Sequence, residues 1–332
     1  MVEFVMLTLG IALFLYTVLG GADFGAGIVE MLVGKRSIST ISKAIAPVWE
    51  ANHVWLILVI VVIFNGFPKV YSTLSLVLHL PLMAVLVGII LRGTTFTFRH
   101  YDVLEDGTHK YYTAIFRISS IITPIFLGII LGAMILGNIT LDQSQGFYGM
   151  FVAPWFNWFC LAMGVFSLGL FTLISAVFLI GEVETEEGRE IMSRLSKRLL
   201  IVNLILGILV MLSAENEGFP LIQSFLAAPF SLTMVILASI LIPVLIRFIN
   251  QNAILKMRVT MGAIIAMIMV GWAIVQYPTF IQFSDGTSLT IENTQAPPAT
   301  FRQLVIALAV GVSLIIPATI YLFRVFKWGN DD

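Results

Sequence analysis

An all-α, polytopic membrane fold with nine spanning helices is what this chain predicts, and three observations carry that prediction. Hydrophobic residues make up 59% of its 332 residues and charged residues only 11%, with a mean hydropathy of +1.00. That composition lies outside the range of ordinary soluble domains. The apolar runs are roughly 20 residues long, enough for a helix to cross about 30 Å of hydrocarbon, and they lack the alternation of a transmembrane barrel. Basic residues, finally, collect in alternate loops, as they do on the cytoplasmic side of membrane proteins.

The runs lie at about 4–23, 46–65, 73–92, 114–137, 154–181, 199–214, 224–246, 258–276 and 301–324. Placing the amino terminus outside puts Lys35, Arg36, Lys43, Arg92, Arg99, Lys110, Arg117, Arg189, Arg194, Lys197, Arg198, Arg247, Lys256, Arg258, Arg324 and Lys327 inside. Of the 18 basic residues only Lys69 and Arg302 then remain outside. Dropping one helix would invert every later loop, so this asymmetry tests the count and places the carboxyl terminus in the cytoplasm. Met1-Val2-Glu3 lacks a basic region and no small-residue cleavage site follows, so the first run reads as an uncleaved span. With no long hydrophilic insertion, residues 1–332 read as a single membrane domain, expected as two four-helix bundles plus one helix. The acidic run Glu182, Glu184, Glu186, Glu187 and Glu190 reads as a solvated extension of the fifth helix. Residues 277–300 read as an outer loop or re-entrant segment. A net charge of −1 gives no nucleic-acid signal, and the single cysteine, Cys160, excludes an intrachain disulfide or a thiolate metal site.

In the first element, Leu19-Gly20-Gly21-Ala22-Asp23-Phe24-Gly25-Ala26-Gly27 sets an acid among glycines. Gly21 and Gly25 are four apart and share a helix face that lets another backbone approach; alternatively the glycines end or distort the helix there. Asp23 is then either a cap or a functional acid. The second element runs Ala46-Pro47-Val48-Trp49-Glu50-Ala51-Asn52-His53-Val54-Trp55-Leu56. An acid near the centre of a spanning helix costs on the order of 3 kcal/mol, so Glu50 marks a proton, ion or ligand pathway. His53 lies three residues on, on the same face, and Lys43 is only about 10 Å along the helix axis. The Glu-x-x-His spacing resembles a di-iron bundle, but the further carboxylates and the second such pair are missing, and no metal site is expected. Trp49 and Trp55 fit an interface belt, and Trp49 also stands where it can stack on a ring. In the third element His79 precedes Leu80-Pro81 and is read as satisfying a Pro-freed carbonyl. Arg92 ends that span, either snorkelling to headgroups or pairing with an acid, a quinone carbonyl or a lipid headgroup.

Taken together, Gly20 to Gly27, Pro47 to Leu56 and Phe67-Pro68-Lys69-Val70-Tyr71 resemble subunit II of the cytochrome bd quinol oxidases. Leu91-Arg92-Gly93, Tyr277-Pro278 and Ser288-Leu289-Thr290-Ile291-Glu292-Asn293 extend the resemblance over essentially the whole chain. The resemblance implies a multi-pass subunit of a prokaryotic cytoplasmic (inner) membrane oxidase that passes electrons from quinol to oxygen in aerobic respiration. This chain would bind no haem itself; haems b and d, or b variants, would sit in a partner subunit I. By the same resemblance, Glu50, Asp23 and His53 belong to a cytoplasmic proton path, and Trp49 and Arg92 lie near a quinone or lipid. A bound quinone and a small single-helix subunit are further associations it allows. Three positions depart from the family pattern: Gly20 for an additional Asp, Glu50 for the commoner Asp, and His53 for Gln or Glu. Glu50 keeps the proton chemistry, while His53 adds a second titratable group. The rival from another class is a proton-coupled transporter, which predicts broken helices converging at the midplane.

Overall fold

The computed structural model describes residues 1–34, 49–101 and 109–325, with the backbone alone described at 49–51, 100, 101, 109 and 323. Among the described residues it has eight helices long and apolar enough to cross a membrane, and a ninth if one bent pair counts as a span. The first span is α1 (Val2–Leu15), a π-helical turn (Tyr16–Gly20) and α2 (Gly21–Val33) in one continuous 32-residue helix. It stops at Gly34, whose φ of 85° suits glycine. The glycine run distorts the helix without ending it, so Asp23 lies well inside the helix instead of at the end expected near residue 23.

Next comes α3 (Trp49–Gly66), then α4 (Pro68–Val77), which turns away from it by 114°. Phe67 breaks the helix and Pro68 restarts it at a position where its missing N–H is not needed. The third span, α5 (His79–Tyr101), begins and ends later than the expected 73–92, so Arg92 is interior and not terminal. His79 stands at the α4–α5 break, where its Nδ1 bonds the Leu76 carbonyl at 2.9 Å. The fourth span is α6 (His109–Leu136).

After the short α7 (Gly146–Phe151), α8 (Trp158–Leu179) is the fifth span, capped by Asn157, whose side chain accepts from the Cys160 N–H at 2.9 Å. The sixth is α9 (Glu186–Asn216), 31 residues, capped by Thr185. The acidic run therefore extends the sixth helix, not the fifth: an acid-rich first turn behind a threonine cap is a helix start. Following α10 (Leu221–Ala227) come α11 (Pro229–Asn250), α12 (Ile254–Gln276) and α13 (Pro298–Phe323).

The segment between α12 and α13, expected as an outer loop or re-entrant segment, contains two short strands. It forms an antiparallel hairpin, β1 (Thr279–Gln282) with β2 (Ser288–Thr290), in the register Ile281 to Leu289. The hairpin is tied to the end of α6 by a hydrogen bond from the Ser284 N–H to the Ile139 carbonyl at 2.9 Å. Ala296 N–H bonds the Gly66 carbonyl at 2.8 Å, so the ends of α3, α6 and α12 share one face. On the opposite face, Arg258 at the start of α12 bonds the Phe178 carbonyl and Glu182 at the end of α8, at 2.8 and 2.9 Å.

Within the membrane span, α8 packs against α2, α6 and α9. Its approach to α6 needs glycine on both helices: a β-carbon at Gly128 would strike the Met163 carbonyl, and one at Gly164 would come 2.8 Å from the Ile125 carbonyl. Small residues that let backbones meet supply van der Waals contact where lipid removes the hydrophobic drive between helices.

Candidate functional site

Among the described residues, the buried charges Asp23, Glu30 and Arg92 pair in two layers. In the deeper layer Arg92 on α5 reaches Asp23 on α2, with Nη1 2.7 Å from Oδ2; both side chains are almost completely buried. Arg92 also donates to the Asp23 carbonyl and, through Nε, to Ser120 Oγ at 3.3 Å. The second layer lies two helical turns on, about 10 Å along the axis. There Glu30, fully buried, takes two bonds from Arg99 at 3.1 and 2.9 Å and one from Arg117 Nε at 3.1 Å. Both layers join residues 69 apart, 23 with 92 and 30 with 99. Equal offsets place α2 and α5 parallel, with one returning span between them.

The Phe116 ring on α6 separates the layers. The Arg92 guanidinium carbon lies 4.7 Å from its centroid and that of Arg99 4.4 Å, while Phe24 closes the other side of Arg92 at 4.9 Å. An aromatic face stabilises a desolvated guanidinium, which makes these rings part of the charge compensation. Buried ions without such partners cost several kcal/mol each.

Beside the deeper layer is an aromatic and imidazole pocket. Half-buried His53 on α3 packs edge-on to Phe24 at 5.9 Å and tilted to Tyr16 at 6.4 Å. Asp23, His53, Arg92 and Tyr16 are near enough to interact electrostatically. Asp23 Oδ1, His53 Nδ1, Asn52 Oδ1 and Tyr16 Oη are buried without a hydrogen-bond partner among the described residues. A carboxylate with one oxygen held by arginine and the other uncommitted can accept a proton or a water molecule.

Of the residues singled out from sequence, Asp23, His53 and Arg92 are thus brought together. Trp49 and Glu50 lie in the first described turn of α3, but their side chains, like Lys43, lie outside the described residues. Gly21 and Gly25 face α8, where a β-carbon at Gly25 would run into the Phe171 carbonyl and one at Gly21 would meet the Phe171 and Ile174 side chains at 3.1 and 3.2 Å. Among the described residues no three His, Cys, Asp or Glu side chains gather as metal ligands. Tyr16, Glu30, Arg99, Phe116, Arg117 and Ser120 escaped the sequence reading. A usable signal was present for two of them: acids seven apart at 23 and 30 match arginines seven apart at 92 and 99, a spacing that repeats a helix face.

Comparison with known proteins agrees along the chain. A family model described as cytochrome bd terminal oxidase subunit II matches residues 1–326. The putative cytochrome bd menaquinol oxidase subunit II of Bacillus subtilis is 24% identical, over 94% of this chain and 92% of that protein. The cytochrome bd ubiquinol oxidase subunit 2 of the same organism is 29% identical, but over 44% of this chain and 43% of that protein. Cytochrome bd-I ubiquinol oxidase subunit 2 of Escherichia coli is 26% identical over 52% and 46%, so the chain matches about half the length of these two relatives. Among solved structures, a chain of the bd oxidase of Geobacillus thermodenitrificans has the same fold, with a TM-score of 0.78 at 19% identity over 98% of this chain and 99% of that one.

Proposed function

This chain belongs to the cytochrome bd terminal oxidase subunit II family, and from that premise we propose that it is the subunit that holds a haem-bearing subunit I and feeds protons to oxygen reduction. The observation that carries the reading is a family match spanning residues 1–326. The complex would oxidise a quinol and reduce oxygen to water in the cytoplasmic membrane of a prokaryote, and the transporter alternative is set aside by that membership. Haem would supply the electron transfer and oxygen chemistry. The described histidines of this chain offer no ligand pair for it: His79 is bonded to a backbone carbonyl, and His53 is packed between Phe24 and Tyr16. The haems, of b and d type or b variants, we assign to the partner on the strength of the family.

This chain's own residues would supply the proton route. Glu50 at the start of α3 takes a proton from the arginine-rich face, which the basic-residue asymmetry assigns to the cytoplasm, and His53 and Asp23 carry it inward. What supports this is that Asp23 and His53 are near enough to interact electrostatically and that His53 lies one turn along α3 from Glu50. Arg92 fixes the position of Asp23 and keeps its charge compensated. A quinone or lipid near Trp49 and Arg92, and a small single-helix subunit, complete the assembly we propose.

The test is Glu50→Gln in the complex purified with its partner. Quinol-driven oxygen uptake should fall roughly tenfold or more, with haem content and subunit ratio unchanged. Wild-type turnover in that variant overturns the proton route.

A further inference from the structure

Tyr16 belongs to none of the motifs that carry the family resemblance, yet it is buried with its ring 6.4 Å from that of His53. It opens the π-helical turn that Gly20 closes, and single π-turns inside α-helices are frequent at functional sites. A β-carbon at Gly20 would have three Tyr16 ring carbons as its nearest neighbours, at 2.9, 3.0 and 3.5 Å. The phenol ring therefore lies over Gly20, in space that only glycine leaves open. This is an unusual place for a membrane tyrosine, which ordinarily sits at the headgroup level with its hydroxyl in water. Here the residue is 4% exposed.

Its hydroxyl, Asp23 Oδ1 and His53 Nδ1 are all buried and all without a hydrogen-bond partner among the described residues. A buried polar atom left unpaired costs about 1–3 kcal/mol, and buried polar atoms in folded proteins are almost always satisfied by protein or by ordered water. Three such atoms, on Tyr16 and His53, whose rings lie 6.4 Å apart, and on Asp23 beside Phe24, whose ring meets that of His53 at 5.9 Å, with Asn52 Oδ1 a fourth nearby in sequence, are the kind of polar partners that a buried water needs.

We propose that Tyr16 is a positioning residue, whose hydroxyl holds water between His53 and Asp23 so that protons pass the phenol on their way inward. The phenol donates one hydrogen bond and accepts another, and is neutral before and after each transfer. The inference rests on the proton route proposed above and adds a residue to it.

The experiment compares Tyr16→Phe with Glu50→Gln in the purified complex, measuring kcat and KM for quinol, haem content and the solvent deuterium isotope effect on kcat. Phe keeps the ring over Gly20 and removes only the oxygen. Tyr16→Phe should lower kcat roughly tenfold, leave KM and haem content unchanged, and enlarge the isotope effect. Unchanged kcat and isotope effect in Tyr16→Phe, with Glu50→Gln slow, overturn the role of Tyr16 and leave the route standing. Wild-type turnover in both variants overturns the route itself. Loss of haem or of the partner subunit from Tyr16→Phe identifies a packing role and also overturns the proposal.

Discussion

At the scale of the residue, Arg92 shows how a charge survives inside a membrane span. The residue is 1% exposed, and its guanidinium is shared among the Asp23 carboxylate, the Asp23 carbonyl, Ser120 and the faces of Phe24 and Phe116. Removing one member of a buried pair typically costs 3–5 kcal/mol because the other charge is left uncompensated, whereas removing both costs far less. Asp23→Ala and Arg92→Ala should therefore each lower the melting temperature of the purified complex. The double variant should melt no lower than the worse single, a coupling that a thermodynamic cycle measures directly. An additive double variant would show that the pair contributes nothing as a pair. Glu30 carries a similar expectation: Glu30→Ala leaves Arg99 and Arg117 facing each other and should melt lower than Glu30→Gln, which keeps acceptor capacity for one of them. Asp23 and Arg92 both stood out in the sequence as charges in apolar runs. Their partnership did not, because Arg92 was read as the last residue of its span, where snorkelling competes with pairing.

At the scale of the element, the discrepancies share one physical origin. Spans one, three and six all run further than their expected apolar stretches, which are bounded by charges: Asp23 and then Glu30, Arg92 and then Arg99, and Lys197-Arg198 before the sixth. The first two sets are neutralised across helices, so the helix continues past them; the third lies inside a helix that starts upstream at its own cap. Glycine in the first span carries two readings, distortion and close packing, and both hold. It weakens helices in water, yet in lipid it is the residue that lets backbones approach, and Gly25 illustrates the difference. A methyl group there would press on the Phe171 backbone and the Ser175 side chain, contacts that a flexible side chain cannot relieve. Gly25→Ala should therefore cut the yield of haem-containing complex severely, since overpacking costs about 1–3 kcal/mol even where side chains give way. Gly10→Ala, where nothing lies within 4 Å of the added carbon, should leave the yield unchanged. Equal yields from the two would mean that the approach of α2 to α8 is not limiting for assembly. The hairpin between α12 and α13 was not visible in advance because strands of four and three residues offer too few positions for alternation to register.

At the scale of the whole molecule, the eight long helices and the bent pair among the described residues each correspond to an apolar run of membrane length, and loop charge tests the expected nine independently of hydropathy. The parallel setting of α2 and α5, fixed by the equal offsets of their ion pairs, agrees with that count between the first and third spans. What remains for experiment is which face meets the cytoplasm, and the proton route depends on it, because Glu50 can draw cytoplasmic protons only if the arginine-rich face is inside. Two exposed positions decide this. Ser144 lies on the face of the hairpin and Glu190 in the first turns of α9 on the opposite face. The one native cysteine, Cys160, is buried, so it leaves the background quiet. A membrane-impermeant maleimide should label Ser144→Cys in intact cells, and should label Glu190→Cys only after the membrane is opened. The reverse pattern would put Glu50 on the outer side, where a proton taken up for oxygen reduction would come from the wrong compartment and its uptake would no longer move positive charge out of the cytoplasm.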